Sequence, residues 1–301
     1  MKVLRLYYCA AARNFGDQMS PLVVSKISGR RAVMANGIID ADLMAIGSVF
    51  YDGWNICARK ASWKTSHGVL QRIRSIRATL KGPVSVWGSG FLLDGLKDLA
   101  LRQVKLDIHA VRGRITLDIL RRVGFVKDGL NIALGDPGLL YPKLFGINAR
   151  CSKCWDIGII PHMSDAPLGQ FLFDRFNKAG FRVKLINVTD TVESVVSEIS
   201  LCENILSSSL HGLAIADALN IPSRQMLLSY YSIPDDQFFL KFRDYYSAFG
   251  REMPAPLGIK DIVDDEIKVL NEISKSVVPS VDQISDITSN LVLAFPKGLK
   301  R

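Results

Sequence analysis

The chain lacks the marks of several large function classes. It contains no GxxxxGK followed by Ser or Thr, and no GxGxxG. Neither a P-loop nor a dinucleotide fingerprint is therefore written in it. No apolar run approaches the ~18 residues needed to cross a bilayer. There is no RNA-binding aromatic signature, no zinc-finger spacing, no internal repeat and no low-complexity tract. The Lys and Arg residues form no dense block. Histidine is scarce, with four residues, and the five cysteines are Cys9, Cys57, Cys151, Cys154 and Cys202. The only CxxC runs from Cys151 to Cys154. A structural zinc site wants four ligands, and a redox CxxC sits at a strand-to-helix turn, whereas this one precedes a strand. A chance pair of reduced thiols is expected, with no metal and no cofactor.

What is present is a folded chain. Of 301 residues, 48% are apolar and 22% charged. That suffices for one large or two medium domains with real cores. The first residues carry a short apolar stretch broken by Arg5, which reads as a strand and not as a signal peptide. A cytoplasmic protein is expected. The net charge of +9 suits nucleic acid, an anionic small substrate or an anionic membrane surface. Short basic clusters occur at Arg72, Arg74, Arg77 and Lys81, and at Arg112, Arg114, Arg121 and Arg122; solvated helix faces would explain them. Trp54 and Trp63 with Arg59, Lys60 and Lys64 could form an interfacial patch, although an ordinary loop or lid explains them better.

Strands and helices alternate along the chain. Strands are expected at 3–9, 43–49, 83–87, 107–111, 156–161, 182–186, 204–207 and 223–228. Helices are expected at 17–27, 114–122, 168–179, 191–200, 212–219 and 262–273. Residues 142–153, rich in Pro, Gly, Asn and Lys, read as a linker. The last residues, Leu299 to Arg301, read as loose. The fold class is α/β: two Rossmann-like domains with parallel sheets and helices on both faces, residues 1–150 and 151–301, facing a central cleft.

In such sheets ligands bind at the carboxyl ends of the strands. Four strand ends stand out. Asn14, Phe15, Gly16 and Asp17 follow the first strand; Gly16 permits a tight turn, and Asp17 could cap the next helix. Gly88, Ser89 and Gly90 follow a buried strand, where small residues let a ligand approach the backbone. Arg112, before Gly113, follows another strand at a helix start and suits a carboxylate or phosphate; its alternative is a pairing with Asp107 or Asp136. Ser207, Ser208, Ser209, Leu210, His211 and Gly212 join a strand to a helix, where amides and hydroxyls could cradle an anion. His211 there can act as acid or base near neutral pH. His162 lies just past Pro161, at another strand end of the same domain. His67 and His109 have no such context.

These segments occur in a fixed order. Asn14-Phe15-Gly16-Asp17 is followed by Trp87-Gly88-Ser89-Gly90-Phe91, Val111-Arg112-Gly113, Gly135-Asp136-Pro137, Ile159-Ile160-Pro161-His162 and Ser207-Ser208-Ser209-Leu210-His211-Gly212. In this order and spacing the chain resembles the polysaccharide pyruvyltransferase family, from about residue 3 to about residue 230, with Lys241 to Tyr245 beyond. The resemblance implies a GT-B-like arrangement, with the acceptor on the first domain and the donor on the second. It implies phosphoenolpyruvate as donor and a sugar or lipid-linked oligosaccharide as acceptor, with no nucleic acid. An acceptor on a lipid carrier would bring the protein to the inner face of the membrane. The family's donor-binding Arg and basic-Leu-His fall on Arg112 and on Leu210-His211. Many members carry Arg before Leu-His, and here Ser209 stands there; Lys241 or Arg224 could supply the charge. On this reading Arg112 and His211 are catalytic. Asn14, Gly16, Asp17, Gly88, Ser89, Gly90, His162, Ser207, Ser208, Ser209, Leu210, Gly212 and Lys241 bind substrates. Two other readings stay open: a nucleotide-sugar glycosyltransferase of the same architecture, and a non-catalytic saccharide-binding member.

Overall fold

Every strand pairing is parallel among residues 3–9, 13–50, 82–92, 104–148, 152–228 and 239–301, which the computed structural model describes. The first sheet contains β1 (Leu4–Tyr7), β2 (Ala32–Met34), β3 (Leu43–Met44), β4 (Val84–Ser89), β5 (Leu106–Val111) and β6 (Ala133–Leu134), in the order β2-β1-β3-β4-β5-β6. The second contains β7 (Ile157–Ile160), β8 (Val183–Leu185), β9 (Ile205–Ser207), β10 (Ser223–Leu227) and β11 (Leu257–Gly258), in the order β11-β10-β9-β7-β8. Numbered from its own first strand, each sheet runs second, first, third, fourth, fifth, and the first sheet adds a sixth. The strand order therefore reverses between β1 and β3, and again between β7 and β9. Such a reversal opens a crevice at the carboxyl ends of the two strands.

The two sheets make two Rossmann-like domains, as the alternation of strands and helices predicts. Strands covered on both faces should read as nearly continuous apolar runs. Val84–Ser89 is buried at every position, and so is Ile157–Ile160.

Ten helices cover the sheets among the described residues. They are α1 (Phe15–Ser28), α2 (Arg114–Arg122), α3 (Tyr141–Phe145), α4 (Ala166–Lys178), α5 (Val192–Ser200), α6 (Leu210–Ala218), α7 (Leu240–Ser247), α8 (Ile259–Asp264), α9 (Glu266–Ser274) and α10 (Val281–Ala294). Thr191 caps α5 by accepting from the Ser194 amide, and the helix buries Val192, Val195, Val196 and Ile199. Helix α6 differs in kind. Its residues are buried from Leu210 to Asp217, as expected of a helix enclosed on all sides. It packs on β9 and β10 of its own sheet and also on α1 and on the turn Pro137–Leu140 of the first domain. The backbone links the domains as well, since the Phe15 amide donates to the Val188 carbonyl at 2.8 Å.

Several local expectations change. The strand expected at 43–49 closes at Met44. Helix α6 begins two residues earlier than expected, at Leu210. Helix α3 occupies part of the expected linker, with Gly146 in the left-handed region as its stop. The helix expected at 262–273 is two helices. Asp265 lies between them in extended conformation and caps α9 through a 2.8 Å bond from the Lys268 amide. Helix α10 opens with a capping box between Ser280 and Gln283. It returns from the second domain to pack on β4, β5 and β6, and the Trp87 indole donates to the Leu291 carbonyl at 2.8 Å. The chain end is held and not loose: the Arg301 amide donates to the Ser28 carbonyl at 2.9 Å. No described helix is long and apolar enough to cross a membrane. The tryptophans Trp54 and Trp63 with their basic neighbours, the cluster Arg72 to Lys81, His67 and Cys151 lie outside the described residues.

Candidate active site

The two strand-order reversals bring the motifs together. In the first domain Asn14, not Asp17, caps α1: its side-chain oxygen accepts from the Gly16 amide at 3.0 Å. Asp17 then lies in the first helical turn, where a carboxylate suits the positive end of a helix. A β-carbon on Gly47, past β3, would stand 3.4 Å from Asp17 Oδ1. Asp17 therefore sits over the crevice between β1 and β3. In the second domain the Ser208 hydroxyl bridges the other crevice. It accepts from the His162 amide at 2.8 Å and donates to Asp165 at 2.6 Å, joining the ends of β7 and β9. His162 faces its own turn, with Nδ1 2.8 Å from the Ser164 hydroxyl. Burial holds the His162 imidazole below its usual range, and the charge of Lys241 adds to this against the opposing pull of Asp165.

His211 sits in the first turn of α6 and reaches across to the first domain. Its Nε2 lies 3.6 Å from Asp136 Oδ2, an ion-pair distance just beyond hydrogen bonding. Both atoms are buried and have no hydrogen-bond partner among the described residues. The other oxygen of Asp136 is committed, accepting from the Gly138 amide at 2.8 Å. Burial, the largest single influence, would raise the Asp136 carboxyl, but His211, the Gly138 amide and the charge of Arg112 together outweigh it and hold the group below the usual carboxylate range. On its opposite edge the His211 ring lies against Gly16. With Nε2 buried, the 11% of the side chain that stays exposed belongs to its other atoms. The Asn-Phe-Gly-Asp, Gly-Asp-Pro and Leu-His-Gly segments thus form one constellation around a single imidazole.

Arg112 is placed differently from the expectation. It is buried to 1% exposure and pairs with Asp244, not with Asp107 or Asp136. Nε donates to Asp244 at 3.0 Å, Nη1 to the Ser48 hydroxyl at 2.8 Å and Nη2 to the Phe91 carbonyl at 2.6 Å. Asp244 also accepts from the amide and hydroxyl of Thr116, at 2.8 and 2.7 Å. A guanidinium held this way is a strut between α7 and the first sheet, with three of its five N–H donors engaged by the protein. The glycines beside it serve the same packing. A β-carbon on Gly113 would stand 1.7 Å from the Asp244 carbonyl oxygen, and one on Gly90 would stand 2.4 Å from the Arg112 guanidinium carbon. Gly88 faces Pro137, and Ser89 donates to the Ala45 carbonyl. The Gly-Ser-Gly turn thus packs closely against Pro137, Arg112 and the backbone past β3.

The serines of the second domain also turn inward. The Ser207 hydroxyl donates to the carbonyls of Ile160 and Ser209 and accepts from the Ser209 amide. Gly212 lies against that hydroxyl, and Leu210 belongs to the core beside Phe242 and Tyr245. Ser209 stands at the N-cap of α6 without capping it. The first amides of α6 have no intrahelical partner, and the His211 side chain keeps 11% of its surface exposed.

Helix α7 supplies the residues that sequence reasoning left loosest. One face carries Lys241, Asp244 and Tyr245, at i, i+3 and i+4. Asp244 holds Arg112, and the Tyr245 hydroxyl donates to Asp217 of α6 at 2.7 Å. Burial pushes the Asp217 carboxyl up to about 7, against the opposing effect of that bond. Burial likewise pulls the Lys241 ammonium down to about 8, with the charge of Arg112 next in weight; Asp17 and Asp165 oppose both. Arg224, the other residue considered for a missing charge, acts on Tyr246 instead. Cys154 and Cys202 are free thiols, and burial pushes Cys202 up to about 12. The described residues contain no His, Cys, Asp and Glu cluster able to hold a metal.

The sequence is similar to known proteins. Uncharacterized protein L143 of Acanthamoeba polyphaga mimivirus is 32% identical over 185 residues, 61% of either chain. The matched stretch is thus less than two thirds of that relative's length. The family model described as polysaccharide pyruvyl transferase matches residues 13–224, which take in Asn14, Gly16, Arg112, Asp136, His162 and His211. With that match over more than half its length, the chain belongs to the polysaccharide pyruvyl transferase family.

Proposed function

We propose that the protein transfers the enolpyruvyl unit of phosphoenolpyruvate to a saccharide and closes it into a cyclic ketal, releasing phosphate. The observation that carries the reading is His211, held with Nε2 toward the buried Asp136 and with its opposite edge beside Gly16. An ionised carboxylate favours the tautomer with the proton on Nε2. The other nitrogen is then the one that exchanges protons with a substrate.

In the proposed sequence the imidazolium of His211 gives a proton to the methylene carbon of the donor. The neighbouring carbon becomes oxocarbenium-like, and a sugar hydroxyl attacks it. Its proton returns to His211. The carbon–oxygen bond to phosphate then breaks, a second hydroxyl attacks the same carbon, and the second proton leaves with phosphate. General acid–base catalysis of this kind contributes roughly 10²–10⁴-fold. The first amides of α6 suit a negative group on the donor. Asn14 caps through its side-chain oxygen and keeps its NH₂, so Asn14 and Asp17 are the groups of the first domain suited to the acceptor. A GT-B-like arrangement would put the acceptor on the first sheet and the donor on the second.

The test is phosphate release from phosphoenolpyruvate with a panel of saccharide acceptors, using the wild type and His211→Ala. Acceptor-dependent release, lost in the variant while its thermal unfolding is unchanged, is the expected result. Stabilisation by a nucleotide sugar with none by phosphoenolpyruvate would move the assignment to a glycosyltransferase. Saccharide binding without phosphate release would make the protein a non-catalytic member.

A further inference from the structure

Arg114 and Arg121 belong to the same basic cluster as Arg112 but face elsewhere. They line a groove of about 650 Å³ at the outer edge of the first sheet, a volume in the range of ligand sites. Its floor is the edge strand β6 with Asn131 and Ile132 before it. Helix α2 forms one wall through the two arginines, and α10 forms the other through Ile287, Asn290 and Leu293. The groove leads toward the reacting pair. Strand β6 runs directly into Gly135 and Asp136, and a β-carbon on Gly135 would stand 2.5 Å from Ile287 Cγ2. Three strand spacings, about 14 Å, separate β6 from β3 beside the crevice.

The lining suits carboxylates and hydroxyls. Among the described residues no Asp or Glu lines it. The Arg114 side chain has no ion pair to a described residue, and only its backbone amide is engaged, donating to the Ser247 hydroxyl at 2.8 Å. Arg121 keeps a buried Nε without a partner, while Nη2 reaches the Leu130 carbonyl at 3.5 Å and Nη1 lies 3.9 Å from Asp118. Both guanidinium groups therefore have donors left for a carboxylate. The Gly135 amide donates to Val111 of β5, so the alternate residues Ile132 and Leu134 turn their N–H and C=O groups to the open edge. Those groups, with the exposed amides of Asn131 and Asn290, both donate and accept, as sugar hydroxyls do. Leu130 and Leu293 are exposed at the groove and offer apolar contact to the C–H faces of sugar rings.

Other occupants fit less well. Strand β6 pairs through two residues only, too short a ladder for a peptide strand to extend. A second copy docked about a two-fold axis would bring the arginines against their own counterparts.

We propose that this groove binds a carboxylate-bearing stretch of the saccharide acceptor, away from the hydroxyls that react. The proposal rests on the saccharide-acceptor reading above and extends it. A chain that reaches from the groove to the crevice is held at two points, which raises its affinity above that of a single sugar.

The experiment is calorimetric titration of the intact protein, without phosphoenolpyruvate, against three probes. They are oligogalacturonate, a neutral dextran of the same length and a polyglutamate peptide of the same charge. The proteins are wild type, Arg114→Met with Arg121→Met, and Asn131→Asp. The wild type should bind oligogalacturonate more tightly than either other probe. The double variant should bind it about tenfold or more weakly, through loss of charge-assisted contacts. Asn131→Asp puts a carboxylate into the groove at an exposed position and should weaken it likewise. It guards against a double variant that fails to fold, and far-UV circular dichroism checks both. Oligogalacturonate binding that is absent in the wild type, or unchanged in the folded variants, overturns the proposal. Equal or tighter binding of dextran overturns it as well, since the charge then plays no part. Equal or tighter binding of polyglutamate also overturns it and makes the groove a site for acidic peptide. Arginine-dependent binding of oligogalacturonate by a protein that releases no phosphate from phosphoenolpyruvate with any acceptor supports the groove and overturns the reaction alone.

Discussion

Gly16 and His211 meet across the domain seam so closely that a β-carbon on the glycine would stand 2.1 Å from the imidazole Nδ1. Real β-carbons do not tolerate that distance, so any side chain at position 16 must push the ring away. The glycine of the Asn-Phe-Gly-Asp segment is there for the histidine. Gly16→Ala should lower kcat by about 10²-fold or more, since a misplacement of about 1 Å costs that much. Phosphoenolpyruvate binding should weaken far less. Steady-state kinetics beside calorimetry separates the two, and near-normal turnover would show that the ring need not stay where it is.

Asp136 offers a sharper test of how His211 works. Asp136→Asn keeps the bond from the Gly138 amide, because an amide oxygen can accept it as the carboxylate does. It turns the second oxygen, 3.6 Å from Nε2, into an NH₂ donor. The proton then belongs on Nδ1, and Nε2 becomes the acceptor. A ring held in the wrong tautomer should lose about 10²–10⁴-fold in turnover. Nitrogen chemical shifts of the imidazole should show the exchange directly. A variant with the wild-type tautomer and turnover would reduce Asp136 to a turn residue.

The Arg112–Asp244 pair predicts a loss of stability more than of chemistry. Both residues are 1% exposed or less, and each is bonded to neighbours besides the other. Removing one partner leaves a buried charge without compensation, which costs about 3–5 kcal/mol. Asp244→Leu should lower the urea midpoint accordingly. Arg112→Met with Asp244→Leu should recover a large part of the loss, because well-packed apolar pairs often replace buried ion pairs at little cost. Additive losses in the double variant would show that the two side chains act separately.

These relationships also mark what the sequence could reveal. Strand ends were legible because buried parallel strands read as unbroken apolar runs, as in Val84 to Trp87, and because Gly or a polar residue follows at once. The alternation of elements was enough for the two Rossmann-like domains. Partners distant in sequence were not legible. Asp136, before a proline, looks like an N-cap, and one of its oxygens is used that way; nothing local shows that the other meets His211. Arg112 was read as an anion site with Asp107 or Asp136 as its alternative partner, while its actual partner, Asp244, lies on a helix beyond β10. Helix α10 carries exposed apolar residues, Val281 and Leu293, which blur its amphipathic pattern. Its cap, Ser280 with Gln283, was the readable signal.

Asp217 gives a prediction for stability against pH. Its carboxyl is buried, bonded to the Tyr245 hydroxyl, and raised to about 7, whereas an unfolded Asp titrates near 3.9. The folded state thus holds the proton more tightly. The stabilisation is fully present below the unfolded value and is lost as pH rises through about 7. Between pH 5 and 8 the group should withdraw about 2–3 kcal/mol of unfolding free energy. Asp217→Asn is always neutral, and its amide oxygen can still accept from Tyr245. Urea unfolding at the two pH values should show a drop in the wild type that is smaller by that amount in the variant. An equal drop in both proteins would mean that Asp217 is charged, or neutral, at both pH values, and that another group sets the dependence.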